Sequence, residues 1–216
     1  MKRLIFATNN KHKLEEVRAA LDGTVEIISL AEAGLEGEIP ETADTLQGNA
    51  LQKAQWVWER VAENGEWRVE SGYFDGVFAD DTGLEVEALG GAPGVYSARY
   101  AGEHCSFDDN IDKLLAALDG QSNRKAAFRT VICLIDNLST HFFEGRVDGQ
   151  ILTERHMFAE RDQSGASGKY RGFGYDPVFM PDRFALSFAE MPLDVKNSIS
   201  HRGLAVKKLC DFLKAR

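Results

Sequence analysis

Stretches with strand-like and helix-like periodicity alternate along the 216 residues of this chain. A short apolar run over residues 3–7 predicts a first strand, and Leu14, Val17 and Leu21 then recur at helical spacing. A second helix with one apolar face is predicted over residues 45–63. Because a chain of this pattern covers a sheet with helices, the alternation favours an α/β fold.

The later elements complete a mixed sheet flanked by helices. Residues 76–79 predict a buried strand that ends at Asp80, and residues 107–118 and 200–214 have helical spacing. Two strand-like runs between residues 128 and 147 are separated by a short polar stretch, which predicts an antiparallel hairpin.

Net charge and cysteine content restrict the partners and the compartment that suit the chain. The net charge of −9 gives no general attraction to nucleic acid or to an anionic membrane. No apolar stretch approaches the roughly 18 residues of a membrane span, and the first apolar run is too short for a signal peptide. Three widely spaced cysteines fit a reducing compartment, so we expect a cytoplasmic protein. A polyanionic ligand would need a local basic pocket with a metal ion.

The turn between the first strand and the first helix contains groups that suit phosphate. Residues 8–13 read Thr-Asn-Asn-Lys-His-Lys. Unpaired backbone N–H groups and the helix dipole favour an anion at such a helix start, and Lys11 and Lys13 add positive charge. The glycine pattern of a Walker A loop is absent. An Asn-capped turn that binds nothing is the alternative interpretation.

Two adjacent carboxylates follow the strand predicted at residues 76–79. Asp80 and Asp81 would lie at the carboxyl end of this strand, where α/β sheets bind ligands. Adjacent carboxylates can share a hard cation, and one can deprotonate a water. Glu41, just before the second helix, can supply a third oxygen ligand. An aspartate-rich turn closed by Gly83 is the alternative interpretation.

Two later segments combine residues that suit a nucleotide. Residues 172–177 read Gly-Phe-Gly-Tyr-Asp-Pro, in which the glycines permit close backbone approach and Phe173 or Tyr175 can stack on a flat ligand. His201 and Arg202 fall in the first turn of the last helix, where the dipole disfavours cations unless they bind an anion or a base edge. A plain turn and solvent-exposed helix residues are the alternatives.

Taken together, these segments resemble one family, the inosine triphosphate pyrophosphatases, which act on non-canonical purine nucleoside triphosphates such as XTP and dITP. The matching residues follow the order of the family and span nearly the whole chain. They are Ala7-Thr8-x-Asn10-x-x-Lys13, Glu41-Thr42, Asn49-Ala50-x-x-Lys53-Ala54, residues 79–84 (Ala-Asp-Asp-Thr-Gly-Leu), residues 89–102, residues 172–177 and residues 198–203.

The resemblance implies a fold, a reaction and a set of partners. The fold is one domain over residues 1–216, an elongated mixed β-sheet flanked by helices, with two lobes and a nucleotide-binding cleft between them. The reaction is hydrolysis of ITP, dITP or XTP to nucleoside monophosphate and pyrophosphate with Mg²⁺ as cofactor, which cleanses the nucleotide pool. The implied partners are the small-molecule substrate and a second copy of the chain in a homodimer.

The resemblance also implies roles for individual residues. Asp81 is similar to the residue that activates water, and Glu41, Asp81 and Asp80 are similar to the Mg²⁺ ligands. The implied substrate-binding residues are Thr8, Asn10, Lys13, Lys53, Thr82, Phe173, Gly174, Tyr175, Asp176, Lys196, His201 and Arg202, of which the last two lie near the base.

The expected chemistry is in-line attack of a metal-positioned water on the α-phosphorus. Lys13, Lys53 or Lys196 would stabilise the departing pyrophosphate. A hydrogen-bond donor from His201, Arg202 or the backbone, facing the 6-oxo group, would select inosine or xanthosine over adenosine.

The chain departs from the family pattern in three places. Residues 63–76 are longer than expected and predict a surface hairpin, with a lid or a subunit contact as the alternative. Thr82 stands where serine is common, and residues 191–194 approach Lys196 differently.

Competing hypotheses are a Maf-like nucleotide pyrophosphatase, a non-catalytic nucleotide sensor and a nucleic-acid-binding protein. The segment at 198–203 opposes the first, the acidic residues and lysine of the site oppose the second, and the net charge opposes the third.

Overall fold

The computed structural model describes residues 1–21, 23–62, 68–69, 72–156 and 174–215. The strands in these ranges are β1 (Lys2–Phe6), β2 (Val25–Ile28), β3 (Arg68–Val69), β4 (Gly72–Tyr73), β5 (Gly76–Val86), β6 (Pro93–Gly94), β7 (Lys125–Asp136), β8 (Thr140–Ile151) and β9 (Phe179–Pro181). The α-helices are α1 (Lys11–Leu21), α2 (Leu46–Ala62), α3 (Phe107–Ala117), α4 (Leu193–Ile199) and α5 (His201–Lys214). The expected α/β class is confirmed. Across the described ranges, no helix is long and apolar enough to cross a membrane.

Seven of the described strands form one mixed sheet in the order β2-β1-β5-β7-β8-β9, with β6 paired to β5. Strand β1 is parallel to both β2 and β5, whereas β6 is antiparallel to β5 and β9 is antiparallel to β8. Residues 137–139 alone join the neighbouring strands β7 and β8. Parallel neighbours need a much longer crossover, so this connection confirms the predicted antiparallel hairpin.

The chain divides into two compact units, and the first comprises residues 1–81, 130–145 and 202–216. Its core contains Phe6 and Phe78 from neighbouring strands, whose rings stack with centroids 4.5 Å apart. Helices α1 and α5 contribute apolar side chains to the same cluster. Both helices do so because their apolar residues recur at helical spacing and therefore share one face.

The second unit comprises residues 82–129 and 146–201 and has a separate, aromatic core. The ring centroid of Phe179 lies 4.7 Å from that of Phe128 and 5.1 Å from that of Phe188. Strands β7 and β9 thus bring aromatic rings together, and α3 buries apolar side chains in the same cluster. Each unit therefore has the hydrophobic core that a compact body needs.

The predicted end of the strand at 76–79 is wrong, because β5 continues to Val86. Aspartate and glycine are depleted in strands, which made residues 80–83 resemble a turn. In the structure, Asp80 and Asp81 both lie within β5, and each carboxylate has a cationic partner. Because these ion pairs satisfy the buried carboxylates, Asp80 and Asp81 can remain in the sheet and the strand continues through them.

Four short elements have no counterpart among the predictions. Strands β2, β6 and β9 and helix α4 have 4, 2, 3 and 7 residues, which is too few for periodicity to distinguish them from loops. In the segment 63–76, β3 and β4 pair antiparallel, in agreement with the predicted hairpin. Residues 63–67, 70–71 and 157–173 lie outside the described part of the chain.

Gly149 allows β9 to lie close to β8, since it pairs with Pro181. A Cβ at this position would lie 2.3 Å from the carbonyl oxygen of Met180 and 2.8 Å from the Cα of Pro181. Backbone atoms cannot rotate away, so we expect Gly149→Ala to lower the free energy of unfolding by about 1–3 kcal/mol. Urea denaturation measures this change. The control is Gln150→Ala at the exposed neighbouring position, which should stay within about 0.5 kcal/mol of the wild type. Equal stability of the two variants would contradict the argument.

Candidate active site

Asp80 and Asp81 occupy adjacent positions of β5 just past the point where the parallel strand β1 ends. Phe6 is the last residue of β1 and pairs with Phe78, and the N–H of Ala7 donates to the Phe78 carbonyl at 2.8 Å. Successive side chains of a strand point to opposite faces, so the two carboxylates meet different partners. The aspartates are only 3% and 7% exposed. Carboxylates buried to this extent require cations or hydrogen-bond donors.

Asp80 lies between two cations. The Nζ of Lys13 is 3.0 Å from its carboxylate, and the Nε of Arg202 is 3.5 Å from it. Arg202 also donates to Glu16 at 2.6 Å, so its guanidinium has a carboxylate on each side. Lys13 and Glu16 lie three residues apart on α1 and therefore on neighbouring positions of one helix face. Helices α1 and α5 thus supply the groups that surround Asp80.

The turn at residues 8–13 fixes the start of α1 and with it the position of Lys13. The Oδ1 of Asn10 accepts the backbone N–H of Lys13 at 3.2 Å, which is the hydrogen bond of an N-cap. The Oγ1 of Thr8 accepts the N–H of Asn10 at 3.2 Å. The predicted cap is therefore present. These bonds set the direction in which the Lys13 side chain leaves the helix toward Asp80.

Asp81 has its partners on α2. Lys53 Nζ donates to Asp81 Oδ1 at 3.0 Å and to Glu41 Oε1 at 2.7 Å. Asn49 Nδ2 donates to Asp81 Oδ2 at 3.1 Å. Asn49 and Lys53 are four residues apart, so one face of α2 carries both donors. The side chain of Lys53 is 5% exposed and that of Glu41 is 39% exposed, so Glu41 is the solvent-facing member of the group.

The neighbouring aspartates have pKa values shifted in opposite directions. Burial favours the protonated form of Asp80, but Lys13, Arg202 and Lys53 outweigh it and hold the pKa well below its ordinary value. Burial raises the pKa of Asp81 and exceeds the opposing attraction of Lys53. Burial lowers the pKa of Lys13 despite the nearby Asp80. Carboxylates with diverging pKa values can take different roles, one as a fixed charge and the other as a proton acceptor.

Glu41 and Asp81 have the chemistry to hold a hard divalent cation. Their carboxylate oxygens both lie within hydrogen-bond distance of Lys53 Nζ. Mg²⁺ binds one or two carboxylates and takes its other ligands from water and phosphate. Among the described residues, no group of three or more His, Cys, Asp or Glu side chains is arranged to hold a metal ion. Asp80 lies with the cations of α1 and α5, and its assignment as a metal ligand stays a prediction.

Four residues of the predicted nucleotide set have defined surroundings within the second unit. Lys196 Nζ donates to the buried Asp176 at 2.6 Å. Tyr175 is buried, which raises the pKa of its hydroxyl, and that hydroxyl donates to the Ser97 carbonyl at 2.9 Å. Gly174 has a φ of 58°, a conformation that glycine adopts without strain. Their roles toward a nucleotide stay predictions.

The other members of the predicted set lie in different surroundings. His201 is buried in the second unit and stacks on Phe128, with ring centroids 4.6 Å apart and planes 13° from parallel. Thr82 is half-buried in β5. Phe173 lies outside the described residues. Arg202 was predicted near the base, and its contacts in the first unit are the carboxylates of Asp80 and Glu16.

Two residues of the site, Asn49 and Glu16, were not among the predicted site residues. Asn49 was noticed only within a motif, although a fully buried amide on the apolar face of a helix indicates a hydrogen-bond partner. That signal could have identified it once the helix was predicted. Glu16 carries no such signal, because an acidic residue three positions after Lys13 is equally typical of a solvent-exposed helix face.

Comparison with known proteins identifies relatives of this chain. A model of the Ham1 family matches residues 4–212. A dITP/XTP pyrophosphatase of Porphyromonas gingivalis is 55% identical over 99% of this chain and 98% of its own length. A dITP/XTP pyrophosphatase of Flavobacterium psychrophilum is 45% identical over 98% of this chain and 99% of its own length. The solved structure of the Staphylococcus aureus Ham1 protein has a TM-score of 0.81 at 33% identity, with 99% of both chains covered. The solved structure of a HAM1 protein from Coxiella burnetii has a TM-score of 0.82 at 32% identity, with 100% of both chains covered.

Asp80→Asn tests the charge balance of the first unit. The variant leaves Lys13 and Arg202 facing a neutral amide, so we expect the free energy of unfolding at pH 7 to fall by about 3–5 kcal/mol. The pKa of Asp80 is depressed in the folded state, so its stabilisation is complete above the ordinary value of 3.8 and is lost as the pH falls through the lower, folded value. The difference in free energy of unfolding between the wild type and Asp80→Asn should therefore become smaller in acid.

Urea denaturation of the wild type and Asp80→Asn at a series of pH values from neutral to strongly acidic measures this effect. Asp119→Asn is the matched control, since it neutralises an exposed aspartate. A wild-type advantage that stays constant down to the acid limit would contradict the depressed pKa of Asp80.

Proposed function

Because this chain belongs to the Ham1 family, we propose that it hydrolyses ITP, dITP and XTP to nucleoside monophosphate and pyrophosphate. The observation that carries this proposal is the pair of buried aspartates in β5, one between Lys13 and Arg202 and the other beside Lys53 and Glu41. This group of side chains combines a proton acceptor, oxygen ligands for a metal and cations for phosphate. Those are the groups that phosphoanhydride hydrolysis requires.

Glu41 and Asp81 are the proposed ligands of Mg²⁺. When bound, Mg²⁺ would supply positive charge that neutralises the phosphate oxygens and orients them. The two carboxylates are the oxygen donors that meet at Lys53 in the structure. Their geometry supports a divalent cation, and the choice of Mg²⁺ rests on the family resemblance and on the preference of this ion for carboxylate and phosphate oxygen.

Asp81 is the proposed proton acceptor. It would take a proton from the attacking water while the water oxygen forms a bond to the α-phosphorus. The bond from the α-phosphorus to the bridging oxygen breaks in the same step, and pyrophosphate leaves with that electron pair. The role is supported by geometry, since both oxygens of the Asp81 carboxylate are held by donors on α2, which orients the group as a proton acceptor.

The cations of the first unit are the proposed phosphate contacts. Lys13 and Lys53 are each bound to a carboxylate of the aspartate pair, so phosphate oxygens can replace those carboxylates as their partners. Arg202, which contacts Asp80, is proposed to act beside Lys13. Lys196, which donates to Asp176, is also proposed to contact the nucleotide.

Selection of the base requires a donor toward the 6-oxo group. His201 is the proposed donor, supported by its burial, since a buried donor without its acceptor is costly. Against the 6-amino group of adenine, a polar mismatch in a buried site discriminates by as much as about 10⁴-fold. Tyr175 and Asp176 are proposed to bind the same nucleotide.

We further propose a single catalytic domain, a homodimer and a cytoplasmic location, on the basis of the resemblance.

Product analysis with dITP and XTP tests the reaction directly. We expect Mg²⁺-dependent release of monophosphate and pyrophosphate from these nucleotides. Turnover of ATP should be slow because its 6-amino group mismatches the proposed donor, and turnover of GTP should be slow because it carries a 2-amino group that inosine and xanthosine lack. Ion-exchange chromatography resolves the products, and a reaction with excess chelator is the control. Diphosphate with orthophosphate, or equal use of all four nucleotides, would contradict the proposal.

Asp81→Asn tests the proposed proton acceptor. The amide keeps the size of the side chain but cannot accept the proton, so kcat for dITP should fall by about 100- to 10,000-fold. Affinity for a non-hydrolysable dITP analogue should change much less, as measured by calorimetry. Asp119→Asn at an exposed position serves as the control and should retain wild-type kcat. A variant at Asp81 with wild-type kcat would remove this residue from the mechanism.

A further inference from the structure

The buried amide of Asn49 joins two parts of the site. Its side chain is 0% exposed. Its Nδ2 donates to Asp81 Oδ2 at 3.1 Å, and its Oδ1 accepts the backbone N–H of Ala43 at 2.9 Å. One side chain therefore contacts the catalytic carboxylate on β5 and the loop that carries Glu41. Aspartate, leucine or alanine at this position could not make both bonds, because an ionised carboxylate has no donor and an apolar side chain has neither a donor nor an acceptor.

Residues 41–43, here called the Glu41 segment, lie against α2 through several contacts. Gln52 accepts the N–H of Thr42 and donates to its Oγ1, both at 2.9 Å. Gly48 permits the close approach, because a Cβ on it would lie 2.7 Å from the Cβ of Ala43. The segment has no regular secondary structure, so these side chains and Lys53 determine where it lies.

The Asp81 carboxylate is held at both oxygens by α2. Oδ1 accepts from Lys53 and Oδ2 accepts from Asn49. Two donors from one helix face fix the rotation of the carboxylate about its terminal bond, which a single ion pair would leave free. Lys53 is a cation that phosphate can draw away, whereas the neutral Asn49 has no such competing partner. Asn49 is therefore suited to keep Asp81 oriented throughout a reaction.

We propose that Asn49 is a positioning residue that sets the orientation of Asp81 and its spacing from Glu41. The inference rests on the proposed function and extends it to a residue that would act through Asp81. Its effect would be exerted through Asp81, so the loss should appear in kcat with little change in KM. A residue that only stabilised the fold would lower the amount of folded enzyme without altering the kcat of the folded fraction.

Two variants of Asn49 separate these possibilities. Asn49→Ala removes both hydrogen bonds, whereas Asn49→Asp keeps the size and the acceptor for Ala43 but turns the contact with Asp81 into a repulsion. We expect kcat for dITP, corrected for the folded fraction, to fall by about 10- to 100-fold in both variants. Affinity for the non-hydrolysable analogue should stay near that of the wild type. Should the Asn49 variants fail to fold, exchange of the Asn49 side-chain amide in the wild type and in Asp81→Ala still tests the contact.

Thr45→Ala is the matched control for stability. Its Oγ1 accepts the N–H of Gly48 at 3.0 Å at the start of the same helix, and its side chain makes none of the contacts with Asp81. This variant should lower the unfolding midpoint and retain the kcat of the wild type. If the Asn49 variants retain kcat as well, or lose kcat only in proportion to the unfolded fraction, the positioning role is wrong.

A readout without turnover separates this inference from the proposed function. In isotope-labelled protein, the side-chain amide of Asn49 should exchange slowly with solvent, because it is buried and bonded to Asp81. Asp81→Ala should shift its signal and accelerate its exchange. Slow exchange in a wild type that hydrolyses no nucleotide would overturn the function but leave the contact intact. An Asn49 amide that does not respond to Asp81→Ala would overturn the positioning role even in an active enzyme.

Discussion

The first unit is organised by the burial of two adjacent carboxylates in one strand. Removing a carboxylate from water costs several kcal/mol, so Asp80 and Asp81 each need a cation. Strand geometry sends neighbouring side chains to opposite faces, and a single helix could not serve both. Helices α1 and α5 supply Lys13 and Arg202 to Asp80, and α2 supplies Lys53 to Asp81. The helices that cover the sheet with apolar residues therefore also neutralise its charges.

This arrangement explains how a chain with a net charge of −9 can suit a polyanion. Carboxylates face the cations and hold them in place, and phosphate oxygens can take the place of those carboxylates. Stability alone does not account for such a cluster, since well-packed apolar residues are often as stable as a buried ion pair or more so. The opposite pKa shifts of Asp80 and Asp81 add to this argument, because diverging pKa values are typical of sites where carboxylates have separate roles.

Sequence patterns predicted the parts of the structure that depend on periodicity or on a motif. Helices α1, α2, α3 and α5 and the β7–β8 hairpin followed from the spacing of their apolar residues. The motifs also singled out Lys13, Asp81 and Glu41, which the structure describes within one unit. The sequence could not show that Asp80 and Asp81 face opposite ways, because the aspartate pair resembled a turn. Only the continued pairing of β5 makes strand alternation apply to them. Partners such as Glu16 and Arg202, 186 positions apart, depend on tertiary packing, which local patterns do not contain.

Lys53 has a further consequence for the proposed metal pair. Glu41 lies on an irregular segment and Asp81 on a strand, and two such carboxylates would repel each other if nothing lay between them. The ammonium of Lys53 contacts both carboxylates and offsets this repulsion. Asn49 and Gln52 fix the same loop through uncharged hydrogen bonds, which do not depend on whether Lys53 keeps its partners. A cation that replaced the ammonium would meet oxygens already in position, and the cost of ordering the loop would fall on folding and not on binding.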